Sequence, residues 1–315
     1  MRDTECPEWL SEVRLTGVPR ISMTDNRTRH NLRLAIQKEG RLTQQTMSLL
    51  HTAGLEFESY RAQLFVTCRN FDLDVLYVRD DDIPEYVAEG VVDLGIVGQN
   101  LVTEYGFDVR DLHPLGFGYC KLVVAVVDES DVLASHQLEG GKVATSYPNS
   151  ARRYFDSLGI NVTLIPVRGS VELAPAIGVA TAVVELTATG GTLRINDLRV
   201  VDTILSSEAT LVANPLSYGE PIRRREIDRL LVRLRAVLNA KTHKYVMMNV
   251  PREALERVQQ VAPGMKSPTV VPLADPDWVA VHAAVREELF WDVIEALRSA
   301  GATEILVSPI EKLIM

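Results

Sequence analysis

Aromatic residues, basic charge and long apolar runs are all scarce in this chain of 315 residues. Aromatic residues make up 6% of the chain, which is too few to favour the stacking platforms on which single-stranded nucleic acids bind. The formal net charge is −9, whereas a protein that binds duplex nucleic acid usually presents a basic face. No stretch approaches the roughly 20 apolar residues that span a bilayer. These features argue against a nucleic-acid-binding protein and against a membrane-spanning one.

Cysteine is also scarce, and its number is odd. Cys6, Cys68 and Cys120 are far apart, and the chain has neither a CxxC pair nor an HExxH motif, which argues against a zinc site. Isolated cysteines are typical of reduced thiols in a cytoplasm. Residues 1–22 contain three glutamates and two prolines and lack the apolar core of a secretory signal. We therefore expect a cytoplasmic protein in which residues 1–22 form a poorly ordered extension.

From Leu32 onward, short β-rich runs alternate with helical runs, a pattern that predicts an α/β fold with a largely parallel sheet. The predicted strands are Leu32–Gln37, Asp74–Val78, Leu94–Val97, Lys121–Val127, Lys142–Thr145, Asn161–Pro166, Ala182–Glu185, Leu198–Ser206 and Ala209–Ala213. The predicted helices are Leu42–Ala53, Ile83–Glu89, Ser150–Leu158 and Val171–Gly178. We expect two lobes, residues 23–128 with 208–235 and residues 129–207, around a cleft that suits a small molecule.

The C-terminal part has a different rhythm. An amphipathic helix is predicted over Pro221–His243, and strands and helices then follow in the order βαββαβ. The strands are Tyr245–Val250, Thr269–Leu273, Val279–Val285 and Ile305–Ser308, and the helices are Arg252–Val261 and Leu289–Ser299. This order is the ferredoxin-like arrangement, which predicts a separate domain over residues 236–315.

The segment from Glu185 to Thr192 is the strongest candidate for a binding loop. It follows an apolar strand and contains Gly190 and Gly191, which let backbone N–H groups approach a bound phosphate. The hydroxyls of Thr187, Thr189 and Thr192 add further donors, and Ala188 lies between them. Glu185 can accept hydrogen bonds from ribose hydroxyls, as acidic residues do in other nucleotide sites. An ordinary glycine and threonine turn that caps a helix explains the composition equally well.

Other strand ends carry weaker signals. Gln37, Lys38, Gly40 and Arg41 leave the first predicted strand and suit an anion contact, although a solvated helix start is the more common meaning of such a run. Three adjacent carboxylates at 80–82 could attract Mg²⁺ or cap the following helix, and we favour capping. Asp93 opens a buried strand, and Ser146 and Tyr147 follow another, where a second lobe could face the cleft; each is also compatible with a structural turn.

Taken together, these segments resemble ATP phosphoribosyltransferase of the long, feedback-regulated form. The resemblance runs from about Leu32 to Met315. No single matching segment is specific to the family, but nine of them in the right order are. The matching segments are Gln37–Leu42, Val78–Pro84, Val92–Asn100, Ala144–Pro148, Gly169–Pro175, Thr189–Leu193, Lys244–Met248, Ser267–Thr269 and Pro309–Lys312.

The resemblance implies a two-lobed catalytic core like that of periplasmic binding proteins, with a C-terminal regulatory domain. It implies that N1 of ATP attacks C1 of phosphoribosyl pyrophosphate with inversion, that pyrophosphate leaves, and that Mg²⁺ is the metal, held through substrate phosphates. It further implies a hexamer built from dimers, with histidine as the inhibitor of this first step of histidine biosynthesis. Inhibition by AMP or ADP is left open.

The resemblance also assigns roles to residues. Glu185 would hold the ribose hydroxyls, and Thr187 to Thr192 would cradle the 5′-phosphate. Gln37, Lys38, Gly40 and Arg41 would face the nucleotide or the pyrophosphate, with Asp93, Ser146 and Tyr147 lining the cleft. Ser267, Thr269 and Ala302 fall in the segments that form the regulatory histidine site.

Two departures from the family pattern affect the expected rate. The family usually has Asp where this chain has Glu185, and an acidic residue where it has Thr181. In a pre-organised site, a displacement of about 1 Å can cost on the order of a hundredfold in rate. A catalytically weak, histidine-sensing paralogue is therefore an alternative. A two-lobed solute-binding protein is a second one, which the missing signal sequence and the third domain disfavour.

Overall fold

The computed structural model describes residues 31–57, 64–262 and 267–315, and the prediction for residues 1–22 lies outside them. The strands are β1 (Leu32–Gln37), β2 (Phe65–Thr67), β3 (Leu73–Val78), β4 (Leu94–Gly98), β5 (Arg110–Pro114), β6 (Cys120–Val127), β7 (Lys142–Thr145), β8 (Thr163–Pro166), β9 (Ala182–Thr187), β10 (Leu198–Ser207), β11 (Ala209–Ala213), β12 (His243–Pro251), β13 (Thr269–Pro272), β14 (Trp278–Arg286) and β15 (Thr303–Pro309). The α-helices are α1 (Thr43–Thr52), α2 (Ile83–Ala88), α3 (Gln99–Tyr105), α4 (Pro148–Ser157), α5 (Gly191–Ile195), α6 (Pro215–Gly219), α7 (Pro221–Lys241), α8 (Leu255–Val261) and α9 (Phe290–Ala300).

The first lobe is built on a six-stranded sheet in the order β2-β3-β1-β4-β11-β5. β1 pairs in parallel with β3 and β4, whereas β11 joins β4 in the antiparallel direction. Leu34, Ala35 and Ile36 of β1 are fully buried, because helices cover both faces of this central strand. The prediction that Ala209–Ala213 rejoins the first lobe is confirmed.

The second lobe is a five-stranded sheet in the order β10-β6-β9-β7-β8. β7 pairs in parallel with β8 and β9, but β6 runs antiparallel to both of its neighbours. Both sheets are therefore mixed, and the expectation of a largely parallel sheet is wrong. The predicted boundary between the lobes at residue 128 comes after β6, whereas the structure places β6 in the sheet of the second lobe.

Two adjacent segments connect the lobes. One leads from β5 to β6, and the other is the single step from β10 to β11. Backbone bonds of 2.9 Å join Leu115 N to Ala209 O and Ala209 N to Phe117 O, and the Glu208 carboxylate accepts Gly116 N at 2.8 Å. The paired crossings hold the two sheets side by side with the carboxyl ends of β1, β3 and β4 facing the second lobe.

The C-terminal domain follows the long helix α7. Its sheet has the order β13-β14-β12-β15 and is antiparallel throughout, with α8 and α9 connecting its strands. Alternate residues of β12 and β14, among them Val246, Met248, Val279 and Val281, form its buried core. This order confirms the ferredoxin-like arrangement, and with it the α/β fold of two lobes and a third domain.

One predicted helix is largely absent. Val171–Gly178 contains only a short 3-10 turn at Val171–Leu173, followed by bonded turns up to Gly178. Pro175 cannot donate a helical bond, and Gly178 has a positive φ of 73°, so the helix does not propagate.

Among the described residues, no helix is both long and apolar enough to cross a membrane.

Candidate active site in the cleft between the lobes

Two adjoining cavities lie between the lobes, and both are bordered by Leu101 and Tyr147. The smaller, of about 260 Å³, is lined by Gln37, Arg41, Leu42, Asp80, Gly98, Asn100, Leu101, Tyr147 and Leu186. The larger, of about 560 Å³, is lined by Arg79, Asp81, Asp82, Leu101, Tyr105, Ser146, Tyr147, Val167, Arg168 and Gly169. Cationic, anionic and amide groups from both lobes therefore converge on one cleft.

Gln37 organises the first-lobe side of the smaller cavity. Its Nε2 donates to Asp80 Oδ2 at 2.9 Å, and its Oε1 accepts the backbone N–H of Leu42 at 3.0 Å. Gly40 closes the loop between them with φ of 144°, and a Cβ at this position would lie 2.4 Å from Gln37 Nε2. Gln37 is 9% exposed, so its amide is committed to holding the loop and Asp80.

The carboxylates at 80–82 form a 3-10 turn ahead of α2. No side-chain hydrogen bond caps that turn or α2, so capping does not account for them. Instead Asp80 accepts a hydrogen bond from Gln37, and Asp81 lines the larger cavity together with Tyr105. Burial, followed by the neighbouring Asp80 charge, raises the pKa of Asp81 above its ordinary value.

Ser146 and Tyr147 lie at the carboxyl end of β7, just before α4. The Ser146 hydroxyl donates to Val167 O at 2.8 Å, and Tyr147 N donates to Thr145 Oγ1 at 2.8 Å. Burial raises the pKa of Tyr147, and the negative charges of Glu185, Asp81 and Asp80 raise it further. Its phenol thus stays protonated at the junction of the two cavities.

Glu185 is half-buried near the end of β9, on the second-lobe side of the cleft. One of its oxygens accepts the backbone N–H of Leu186 at 2.8 Å. Burial raises the pKa of Glu185, and the Glu172 charge acts in the same direction, while the Leu186 bond opposes the shift. Burial makes the ionised form of this carboxylate less favourable, and such perturbed groups are common at functional sites, where this one could accept hydrogen bonds from substrate hydroxyls.

The predicted phosphate loop leads from β9 into α5. Thr187 Oγ1 accepts Gly190 N at 2.8 Å, and Gly190 takes a left-handed conformation with φ of 77°. The N–H groups of Gly191 and Thr192 are the first of α5, where a helix has no internal acceptor for them. Ala188, Thr189 and Thr192 are exposed, and the cavity linings reach Leu186 but not the loop itself.

The structure does not bring all predicted residues together. Lys38 and Arg41 are exposed at the loop after β1, and of these Arg41 lines the smaller cavity. Asp93 precedes β4, at the edge opposite the one where Gln37 and Asp80 lie. Its carboxylate accepts Arg33 N at 2.9 Å and Ser217 Oγ at 2.8 Å. In this structure Asp93 joins α6 and β1, away from the cleft.

Thr181 has a structural contact. It precedes β9 at the strand end opposite the loop, and its hydroxyl donates to Lys142 O at 3.0 Å. The side chain at this position therefore lies apart from the groups around Tyr147. Of the two departures, Glu185 is the one whose charge raises the pKa of Tyr147, although it lines neither cavity.

The predicted regulatory residues are also separated. Ser267 and Thr269 lie at or beside β13, and Ala302 immediately precedes β15, at the opposite edge of the four-stranded sheet. Three strand spacings of about 4.8 Å part the two edges. A cavity of about 360 Å³ lined by Trp291, Arg298 and Ala302, among others, lies on the β15 side.

Some cleft residues were missed by sequence reasoning. Arg79, Asp80, Asn100 and Arg168 line the cavities but were not singled out as contacts. Asp80 follows β3 as Gln37 follows β1, and because these strands are parallel, their carboxyl ends had to meet. That signal was in the sequence; Arg168 is placed only by the turn after β8, which no motif marks.

Metal ligation by protein groups alone finds no support in the described segments. Within residues 31–57, 64–262 and 267–315, no three His, Cys, Asp or Glu side chains converge to hold a metal ion. Of the carboxylates near the cleft, Asp80 accepts a hydrogen bond from Gln37, and Glu185 accepts one from Leu186 N.

Comparisons with known proteins agree with this geometry. The family model described as HisG: ATP phosphoribosyltransferase matches residues 79–236, and the model described as HisG, C-terminal domain matches residues 240–312. The ATP phosphoribosyltransferase of Cytophaga hutchinsonii is 42% identical over 283 residues, which cover 90% of this chain and 98% of that protein. That of Methanopyrus kandleri is 44% identical over 284 residues, with 89% and 99% covered.

A solved structure shows the same relationship. The ATP phosphoribosyl transferase (HisG:HisZ) complex from Thermotoga maritima contains a chain that is 31% identical, with a TM-score of 0.58. The alignment covers 66% of this chain and 98% of that one.

Proposed function

This chain belongs to the ATP phosphoribosyltransferase family, and we propose that the cleft between its lobes is where ATP and phosphoribosyl pyrophosphate react. The enzyme is a pentosyltransferase of histidine biosynthesis that forms N1-(5-phosphoribosyl)-ATP and pyrophosphate. The observation that carries the assignment of the site is the convergence of Gln37, Asp80, Tyr147 and Leu186, from both lobes, on one cavity.

The reaction places particular demands on the site. As pyrophosphate departs, C1 of the ribose gains positive character, and the leaving group gains negative charge. Such a step requires positioning of the two substrates and stabilisation of charge more than it requires a strong base. The larger cavity is lined by Asp81 on the anionic side and by Arg79 and Arg168 on the cationic side. The charge of Glu185 acts on Tyr147 at the border of the cavities.

Glu185 would orient the ribose. Its first oxygen accepts Leu186 N, which leaves the second for the ribose hydroxyls. The extra methylene, relative to the aspartate usual in the family, is compatible with this role because the backbone bond fixes the carboxylate. Its negative charge would also favour the cationic ribose of the transition state.

The loop from Thr187 to Thr192 would hold the 5′-phosphate. Gly191 and Thr192 present the first N–H groups of α5, and the left-handed Gly190 opens the backbone beside them. Thr187 fixes the loop by accepting Gly190 N, so Thr189 and Thr192 remain for the phosphate. Backbone donors of this kind bind phosphate whatever the net charge of the protein.

The nucleotide and the pyrophosphate would share the rest of the cleft. Gln37 fixes the loop after β1 by accepting Leu42 N, and Arg41 lines the smaller cavity. Arg79 and Arg168 face the larger cavity, where their guanidinium groups suit phosphate oxygens. Ser146 and Tyr147 would close the wall between the two substrates.

A divalent metal is required by the family, and we infer that it is Mg²⁺. Mg²⁺ is commonly held by one or two carboxylates together with substrate phosphates. With substrates bound, it would neutralise the charge of the departing pyrophosphate. The protein residues would align the substrates around it.

Feedback control would reside in the third domain. Thr269 and Ala302 lie at opposite edges of one sheet, too far apart to contact one histidine molecule. Two copies that bring these edges together would complete such a site, which supports an oligomer, and we infer the hexamer built from dimers that the family resemblance implies. The Thermotoga relative is described as a complex, which also favours assembly. We infer that the protein is cytoplasmic, because isolated cysteines are typical of a reducing compartment.

Pyrophosphate release tests the proposal. The protein is mixed with ATP, phosphoribosyl pyrophosphate and Mg²⁺, with each omitted in turn, and release is followed with and without histidine. We expect release that needs both substrates and that histidine suppresses. Release that ignores histidine would overturn the regulatory assignment alone, whereas histidine binding without any release would favour the sensing paralogue.

A further inference from the structure

Helices α3 and α4 belong to different lobes, yet each is capped by a charged side chain of the other. The Glu104 carboxylate of α3 accepts Asn149 N at its Oε1 and Ser150 N at its Oε2, both at 2.8 Å. In return, Arg153 of α4 donates to the backbone oxygen of Thr103, in the last turn of α3, and to Ser150 Oγ at 3.3 Å. We call this set of four contacts the α3–α4 clamp.

The clamp supplies what each helix lacks. Tyr147, the N-cap residue of α4, provides no side-chain hydrogen bond to the free N–H groups of the first turn. Glu104, which belongs to the other lobe, accepts these N–H groups instead. Its negative charge also interacts favourably with the positive end of the helix dipole. Arg153 likewise reaches a carbonyl that has no partner within α3. Glu104 is 3% exposed, so water cannot easily replace its bonds.

The clamp lies directly behind the cleft. Leu101 and Tyr105, on α3, line the cavities on the first-lobe side, and Asp81 lines the same cavity as Tyr105. Ser146 and Tyr147 immediately precede the capped end of α4 and line the cavities on the other side. A change in the distance between Glu104 and Asn149 would therefore change the width of the cleft.

Elsewhere the lobes are joined by the two crossing segments, which form a paired ribbon at Leu115 and Ala209. A ribbon of this kind permits bending, since few backbone bonds cross it. Beside the ribbon, Asn100 at the start of α3 also bonds the Ser207 hydroxyl of β10, at 2.9 and 3.0 Å. Glu104 and Arg153 add bonds between the lobes further along α3, away from the ribbon. A second connection of this kind restricts the angle between the two lobes.

We propose that Glu104 is a positioning residue, which sets the closure of the two lobes through the α3–α4 clamp and so holds Tyr147 against the bound substrates. The proposal rests on the cleft being the catalytic site. It does not require Glu104 to touch a substrate. Its effect would fall on the rate of the bound complex, because a misplacement of about 1 Å can cost on the order of a hundredfold.

Glu104→Gln tests this role, since the amide keeps one acceptor and loses the charge and the second acceptor. We expect kcat to fall by roughly tenfold to a hundredfold with less than about a threefold change in either KM. The distribution of distances between the lobes, measured with spin labels on Glu85→Cys and Asp156→Cys in a Cys6→Ser background, should broaden at the same time. Glu129→Gln, at an exposed position outside the clamp, should change neither quantity.

A purely structural role would lower the melting temperature and leave kcat and the distance distribution as in the wild type, and that result would overturn the proposal. Loss of rate without broadening, or broadening without loss of rate, would also contradict it. Should Glu104→Gln fail to fold, Arg153→Met at the exposed half of the clamp decides by the same two measurements. If the wild type releases no pyrophosphate, the proposed function fails, and the distance measurement still tests the clamp.

Discussion

The side-chain amide of Gln37 donates to the carboxylate of Asp80 over 2.9 Å, which joins the carboxyl ends of two parallel strands at the mouth of the cleft. The same amide accepts Leu42 N, so one buried side chain fixes both the loop after β1 and the turn after β3. The edge of the first sheet is thereby a preformed wall of the candidate site. Variants that disturb Gln37 should affect catalysis more than folding.

Gln37→Glu is expected to repel Asp80. The substitution replaces a donor by a second carboxylate and breaks a hydrogen bond to a charged group, which is worth about 1.5–3 kcal/mol of the free energy of unfolding. We expect kcat/KM for phosphoribosyl pyrophosphate to fall by about tenfold or more. The control is Gln44→Glu at an exposed position of α1, which adds the same charge. Equal kinetics for the two variants would contradict the role of Gln37.

Gly40→Ala is expected to displace Gln37, because its Cβ would lie 2.4 Å from Nε2. Gly54→Ala provides the control, since Gly54 has a positive φ of 77° but nothing within 4 Å of the added Cβ. Both substitutions place an alanine at a positive φ, which lowers the free energy of unfolding by about 1–3 kcal/mol each. Steady-state kinetics should separate them, with activity lost in Gly40→Ala and kept in Gly54→Ala.

Glu185→Gln should stabilise the protein at neutral pH while lowering its activity. Burial raises the folded-state pKa of Glu185 above the ordinary value of 4.5, so its contribution to stability is present below that value and is lost as pH rises through the raised pKa. Urea unfolding from about pH 4 to about pH 7 should show the variant gaining relative to the wild type. Pyrophosphate release should fall because the ribose loses its charged acceptor.

The control for this measurement is Glu129→Gln, whose exposed carboxylate should give a difference from the wild type that hardly changes with pH. A wild type that is more stable than Glu185→Gln at neutral pH would show that the ionised carboxylate has a stabilising partner in the free enzyme. Unchanged turnover in Glu185→Gln would remove Glu185 from the site.

Histidine inhibition offers a test of a site shared between copies. Thr269→Val and Ala302→Val each alter one edge of the sheet, and each alone should abolish inhibition while leaving the uninhibited rate within about twofold. Mixing the two variants and letting subunits exchange should restore part of the inhibition, because some pairs of edges would then be unaltered. No restoration, despite exchange confirmed by mass spectrometry, would place both residues in a site within one chain.

Much of the core was readable from the sequence. The central strands are continuous apolar runs, as in Leu94–Val97, and the long helix α7 has a clear amphipathic period. The elements that were missed, such as β2, β5 and α3, are short, and three to seven residues carry too few periods to reveal their type. The mixed strand directions could not be read either, since they depend on which lobe each crossing segment enters.

The candidate site was predicted unevenly for a related reason. Gln37 and Tyr147 lie at or just after the carboxyl ends of strands that face the cleft, and both line its smaller cavity. Asp93 is close in sequence to the glycine at the carboxyl end of β4, but it precedes the strand and so lies at the amino end. There it bonds Arg33 and Ser217. Glu104 carries no motif, because its importance depends on α4 approaching from the other lobe.

A structure with phosphoribosyl pyrophosphate and Mg²⁺ bound would test the central assignment most directly. We expect the 5′-phosphate on the N–H groups of Gly191 and Thr192, and the ribose hydroxyls on the Glu185 carboxylate. Density for the ligand elsewhere, or Glu185 turned away from the ribose in a catalytically active crystal, would contradict the account.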